Sequence, residues 1–136
     1  MGAYTFPNDM IRDVVYTEAG DARRRLFHRR ALEFLARAGT PAAVLAHHAL
    51  MAGLMELAFE YTLAAGVEAL RLSALGEAIV HFEKARHLAQ EAALAGPVFE
   101  AQQNDLYRQL SRAYAADGRR DQAALVLAEL ARLTSV

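Results

Sequence analysis

The chain has 136 residues, 54% of them apolar, which is enough for one domain with its own core and too apolar for a disordered polymer. A formal net charge of −1 gives no global attraction to nucleic acid or anionic lipid, and the absence of cysteine excludes disulfides, thiolate metal sites and cysteine nucleophiles. Apolar runs never reach the roughly 20 residues of a bilayer span and no basic-then-apolar leader opens the chain, so a soluble, cytoplasmic protein with no membrane partner is expected.

Prolines and glycines fall between periodic segments, Gly66 excepted, and no strand-like alternation occurs. This predicts an all-α fold of about seven helices, stacked as antiparallel hairpins. The first helix starts at Pro7, a favoured N1 residue, and turns Met10, Ile11, Val14 and Val15 to the core; Gly20 ends the connection after it. Asp21 is placed to cap a second helix, whose Phe27, Ala31, Phe34 and Ala38 follow the i, i+4, i+7, i+11 spacing of one buried face. Gly39-Thr40-Pro41 then supplies a stop, an N-cap hydroxyl and a proline at N1 for a third helix, from about 41 to 52. Gly53 leads into a fourth helix, about 55 to 73, and a fifth runs from about 77 to 94 with Ala78, Phe82, Ala85 and Ala89 on one face. Gly96-Pro97 opens the sixth, with Leu106, Leu110, Ala113 and Tyr114 as its stripe, and Asp117-Gly118 closes it. The seventh, about 120 to 133, presents Ala123, Leu127 and Leu130. Residues 1–40 read as an N-terminal helical cap and 41–136 as helical repeats.

Gly53 is followed five residues on by Ala58, and Gly118 by Ala123. Each glycine closes one helix and each alanine sits early on the next, where two backbones approach closely; this is the pattern of stacked hairpins that bury their apolar stripes only against neighbours. Tyr107, Leu110, Ser111 and Tyr114, followed by Gly118 and Ala123, resemble a tetratricopeptide repeat. Small residues at 111 and 123 would let the paired helices come close while the tyrosines fill the space around them. The same template phased on Ala58 and on Ala78, the latter with Gly66, Ala69, Phe82 and Ala85, gives intervals of 20 and 45 residues between matching alanines rather than a regular 34. A 20-residue step leaves room for a single helix that ends one hairpin and begins the next, so one continuous helix is expected across Gly66, with a neighbour packed on that glycine.

The run Tyr4 to Arg12, the basic stretch Arg23-Arg24-Arg25-Leu26-Phe27-His28-Arg29-Arg30, Ala46-His47-His48 and Ala64-Ala65-Gly66-Val67-Glu68-Ala69 occur in an order that resembles the region after the nucleotide-binding module of bacterial STAND-class signalling ATPases. Asn8 stands where that family usually has histidine. The resemblance implies that Tyr4 to Tyr16 is the tail of a winged-helix-like module and that the chain belongs to a larger ATP-dependent signalling or transcription regulator. There is no Gly-rich Lys-Ser/Thr loop for phosphates in this sequence, so no nucleotide cofactor is expected in it.

Charge is unevenly placed: residues 1–40 carry a net +2 and the remainder −3. Arg23, Arg30 and Arg37 are seven apart on one helical face, with Glu33 placed to pair with Arg37. That pair supports a solvated face as the plain reading of the row; docking onto an acidic surface of the parent protein is a further reading, ranked above nucleic acid because no aromatic side chains alternate with the arginines to stack bases. His47 and His48 are adjacent and point about 100° apart, which does not suit a shared metal ion. His81 and His87 read as lacking carboxylates at ligand spacing, no Gly-x-Ser-x-Gly elbow surrounds Ser73, Ser111 or Ser135, and no acid–base pair stands out. Met51, Met55 and Phe59 would form an apolar contact patch if exposed. The chain therefore reads as a non-catalytic interaction module that binds a protein or another domain of its parent, with Arg71, Arg108 and Arg112 as candidate partner contacts and no metal or cofactor. The alternative is a small-ligand sensor, in which an inducer occupies the groove of the stack.

Overall fold

Links of three residues join most of the helices, which forces each to fold back against its predecessor. The structure, a computed structural model, describes residues 6–135, with side chains from residue 18 onward. Six helices follow one another: α1 (Phe6–Arg37), α2 (Ala42–Met51), α3 (Met55–Arg71), α4 (Leu75–Glu91), α5 (Pro97–Ala116) and α6 (Arg120–Thr134). Packing runs in chain order, α1 on α2, α2 on α3, α3 on α4, α4 on α5 and α5 on α6. This is the expected all-α stack of hairpins with one helix fewer, because the two N-terminal helices are one. α1 continues through Gly20, and Asp21 caps nothing; its carboxylate pairs with Arg24 one turn on. The side chains of Met10, Ile11, Val14 and Val15, expected in the core, and those of the Tyr4 to Arg12 run lie outside the described ones. Among the described residues, no helix is long and apolar enough to cross a membrane.

Five helices end in the same way. Gly39, Gly53, Ser73, Ala93 and Gly118 all have left-handed φ, between 50° and 79°. The next residue in each case donates its N–H to the carbonyl five residues back: Thr40 to Leu35, Leu54 to Ala49, Ala74 to Ala69, Leu94 to Ala89 and Arg119 to Tyr114. These are Schellman closures, which satisfy helix carbonyls that would otherwise lack a partner. Ala58, Ala78 and Ala123 each lie five residues past such a turn, and each donates its N–H to the carbonyl of the residue that follows the turn. Ser73 and Ala78 are thus a third copy of the Gly–Ala pair, with serine in the place of glycine.

α3 and α4 each span 17 residues, so one helix and its link account for the 20-residue step. As expected, α3 is continuous across Gly66 and packs on both α2 and α4. The ring of Phe82 lies directly on Gly66: a Cβ added there would sit 2.9 Å from Phe82 Cζ and nearer still to Cδ1 and Cε1.

The core has two parts. Phe59, Phe82, Leu106 and Leu110, the largest fully buried side chains, join α3, α4 and α5 in a cluster that Ala123, Val126 and Leu130 extend to α6. A smaller cluster of Leu32, Leu45, Ala49 and Ala58 holds α1 and α2 onto α3. Ala78, Phe82, Ala85 and Ala89 are all buried, as are Leu106, Tyr107, Leu110, Ser111, Ala113 and Tyr114. Ser111 Oγ donates to the Ala123 carbonyl at 3.1 Å, so the small residue both permits the close approach of α5 and α6 and ties them together. Two expectations are corrected. On α6 it is Val126, not Leu127, that turns inward beside Ala123 and Leu130. Phe59 is wholly buried, so Met51, Met55 and Phe59 form no surface patch.

Candidate functional site

The main correction concerns α1. The side chains that it packs against α2 and α3 are Leu32 and Leu35, whereas Phe27 and Phe34, expected in the core, are 65% and 71% exposed. At about 100° per residue, Phe27, Ala31 and Phe34 fall within roughly 60° of one another, and the two phenylalanines lie about 80° or more from both Leu32 and Leu35, with Ala31 between the two stripes. The helix carries two apolar stripes, and only one has a neighbour among the described residues. Arg23, Leu26, Phe27, Arg30, Ala31 and Phe34, all on α1, make up an open face along the second stripe. Arg37 extends the row of arginines that borders it. The Glu33–Arg37 pair is not formed, and none of Arg23, Arg30 and Arg37 enters an ion pair among the described residues.

Arg71, Arg108 and Arg112 do not belong to this face. Arg71 lies in the last turn of α3, and Arg108 and Arg112 lie one turn apart on the side of α5 turned away from Leu106, Tyr107 and Leu110. All three are exposed and enter no ion pair among the described residues.

A polar network unforeseen from the sequence spans α4, α5 and α6. Arg86 donates to Glu83 Oε1 at 3.1 Å and to Glu129, and its guanidinium lies 5.4 Å from the centre of the Tyr107 ring. The Tyr114 hydroxyl donates to Glu83. Arg119 covers the other tyrosine, 5.6 Å from the Tyr114 ring centre, and holds Asp117 at 2.9 Å. Burial pushes the Arg86 guanidinium down, but its bonds to Glu129, Glu83 and Tyr107 outweigh that and hold it above its ordinary value. Burial, reinforced by the Glu83 carboxylate, pushes Tyr114 up to about 12. Burial also raises Tyr107, with Glu129 adding to the effect. Beside the network is a cleft of about 230 Å³, lined in part by Phe99, Gln103, Tyr107 and Glu129. The Glu83–Arg86 half was visible as an i, i+3 pair; Glu129, on a helix 43 residues away, had no local signal.

Three histidines meet where α1 crosses α2. His28 Nδ1 is 2.9 Å from His48 Nδ1, and the ring of His47 lies 6.0 Å from that of His28 and 5.5 Å from that of His48. One of the two facing nitrogens donates and the other accepts. Burial lowers His48 below its ordinary value, and the neighbouring His28 and His47 add to the shift. No group of three or more His, Asp or Glu side chains among the described residues is arranged to hold a metal ion. His87, expected to lack a carboxylate, has Glu91 one turn on, with Nε2 3.1 Å from Oε1. No family model, curated protein or solved structure matches this chain.

Proposed function

We propose that the chain is a non-catalytic protein-interaction module that holds and releases a partner protein or another domain of its parent, a larger signalling or transcription regulator. The observation that carries this reading is the second apolar stripe of α1. Fully burying a phenylalanine or leucine side chain contributes about 1.5–3 kcal/mol. Phe27, Phe34 and the half-exposed Leu26 therefore retain several kcal/mol of gross burial free energy that the described fold leaves unused. A patch of that kind, bordered by arginines, has the composition of an interface core with a charged rim. The resemblance to the region beyond the nucleotide-binding module of STAND-class ATPases supports placing the partner within the regulator's own assembly. A photo-reactive residue at position 34, in the parent protein in intact cells, should yield one dominant crosslinked product that Phe27→Asp abolishes. The same probe at Val98, exposed on α5, should not. Equal, diffuse labelling at both positions would refute the reading.

A second reading, a small-ligand sensor, draws on the cleft beside Tyr107, where aromatic and polar groups converge. Its size argues against it: about 230 Å³ is below the roughly 300–1,000 Å³ of ligand pockets. Its principal charges, Arg86 and Glu129, already neutralise each other. A metabolite that stabilises the wild type but not a Gln103→Leu variant would favour this reading instead.

A further inference from the structure

We infer that this exposed face of α1 receives an amphipathic helix with an acidic edge, which lies along Phe27 and Phe34 and continues the stack by one helix. This rests on the interaction reading above and specifies the chemistry of the partner. In the stack, α2, α3, α4 and α5 each pack between two neighbouring helices. α1 has two apolar stripes, like a helix with neighbours on two sides, but among the described residues only its Leu32–Leu35 stripe meets other helices, α2 and, at Ala58, α3. From Arg23 to Arg37 this face is about 21 Å long, the length of roughly four helical turns.

Charge selects the occupant. Arg23, Arg30 and Arg37 form one rim at seven-residue intervals, so a helix whose carboxylates recur every seven residues beside an apolar seam would meet each guanidinium in turn. A second copy of this chain does not fit. In parallel it would set arginine against arginine along the whole row, and in antiparallel it would oppose Arg23 to Arg37 and Arg30 to itself. A nucleic-acid duplex would satisfy the arginines but leave Phe27 and Phe34 against phosphate and water, with no apolar surface to cover them.

The test uses three labelled helical peptides of about 18 residues with the same leucine seam, flanked by glutamate, glutamine or lysine, titrated into the protein by fluorescence anisotropy. The acidic peptide should bind at least about tenfold more tightly than the glutamine peptide at low salt, lose that advantage at high salt, and outcompete a DNA duplex. The lysine peptide should not bind. Reversal of the row in Arg23→Glu/Arg30→Glu/Arg37→Glu should transfer the preference to the lysine peptide, a switch that misfolding does not produce. Phe27→Ser/Phe34→Ser should weaken both, with the helical circular dichroism unchanged. Equal affinity for acidic and neutral peptides, retention of the acidic preference after charge reversal, or tighter binding of the duplex would overturn the inference. If the position-34 crosslink persists in any of those cases, the interaction reading survives; if it is lost as well, both fail.

Discussion

The aromatic ring of Phe82 occupies the space that a side chain at Gly66 would need, a point of close approach between α3 and α4. Two effects oppose each other in Gly66→Ala. Alanine favours the helix by up to about 1 kcal/mol, while overpacking a full core costs about 1–3 kcal/mol. Phe82 is completely buried and cannot swing away, so the steric term wins. Urea unfolding should show Gly66→Ala less stable by about 1–2 kcal/mol, and Phe82→Leu in the same chain should recover part of the loss through coupling between the two sites. An unchanged midpoint in Gly66→Ala would contradict the contact.

Ser73 and Ala93 adopt left-handed φ values of 57° and 50°, at the place in the closing turn where Gly53 and Gly118 adopt 76° and 79°. A Cβ in that conformation costs roughly 1–2 kcal/mol, partly offset by the greater entropy that glycine has in the unfolded chain. Ser73→Gly and Ala93→Gly should therefore each stabilise the fold by about 0.5–1 kcal/mol, and the two sites, in separate turns, should add. Gly53→Ala and Gly118→Ala should shift the thermal midpoint the other way. Destabilisation by both glycine substitutions would show that the turns are held by something other than backbone conformation.

These same residues show what the sequence can and cannot disclose. Gly53, Gly118 and Gly66 are legible because glycine marks a conformational or steric need directly. Ser73 and Ala93 meet the same need with ordinary residues, so the turns recur every 20 residues from Gly53 to Ala93 without a glycine at each. Phe27 and Phe34 obey the helical period of a buried face, as Leu32 and Leu35 also do. Periodicity shows that a stripe is apolar, not which stripe has a neighbour. The meeting of His28 with His48 and of Arg86 with Glu129 depends on how helices cross, for which no local pattern exists.

His48 supplies a pH dependence confined to one end of the molecule. Its folded value is lowered, by burial first and then by His28 and His47, so the unfolded or undocked chain binds the proton more readily. The contribution to stability is intact above the ordinary value of about 6.5 and is lost as pH falls through the lower folded value. With both His28 and His48 protonated, two N–H groups would face each other across 2.9 Å, and no carboxylate lines the adjoining cleft, where His47 lies with His81 and Lys84. Hydrogen exchange should show α1 losing protection relative to α4 and α5 between pH 7 and 5. His48→Gln should remove most of that difference, whereas a uniform loss across all helices would exclude a local cause.

At the opposite end of the stack the dependence is alkaline. Tyr114 is buried and donates its hydroxyl to Glu83, and burial together with that carboxylate pushes its ionisation up to about 12, above the ordinary value near 10. A raised folded value means that the unfolded chain loses its proton first. The stabilisation is complete below about pH 10 and disappears as pH climbs to about 12, amounting to something on the order of 2 kcal/mol. Tyr114→Phe keeps the ring beneath Arg119 but removes the ionisable group, and at pH 7 it leaves Glu83 without one partner while Arg86 still holds it. The variant should be about 1 kcal/mol less stable than the wild type at neutral pH, yet lose less stability on titration from pH 9.5 to 12. Converging stability curves for the two proteins over that interval would verify the linkage. Parallel curves would assign the alkaline loss to other groups and remove Tyr114 from the account.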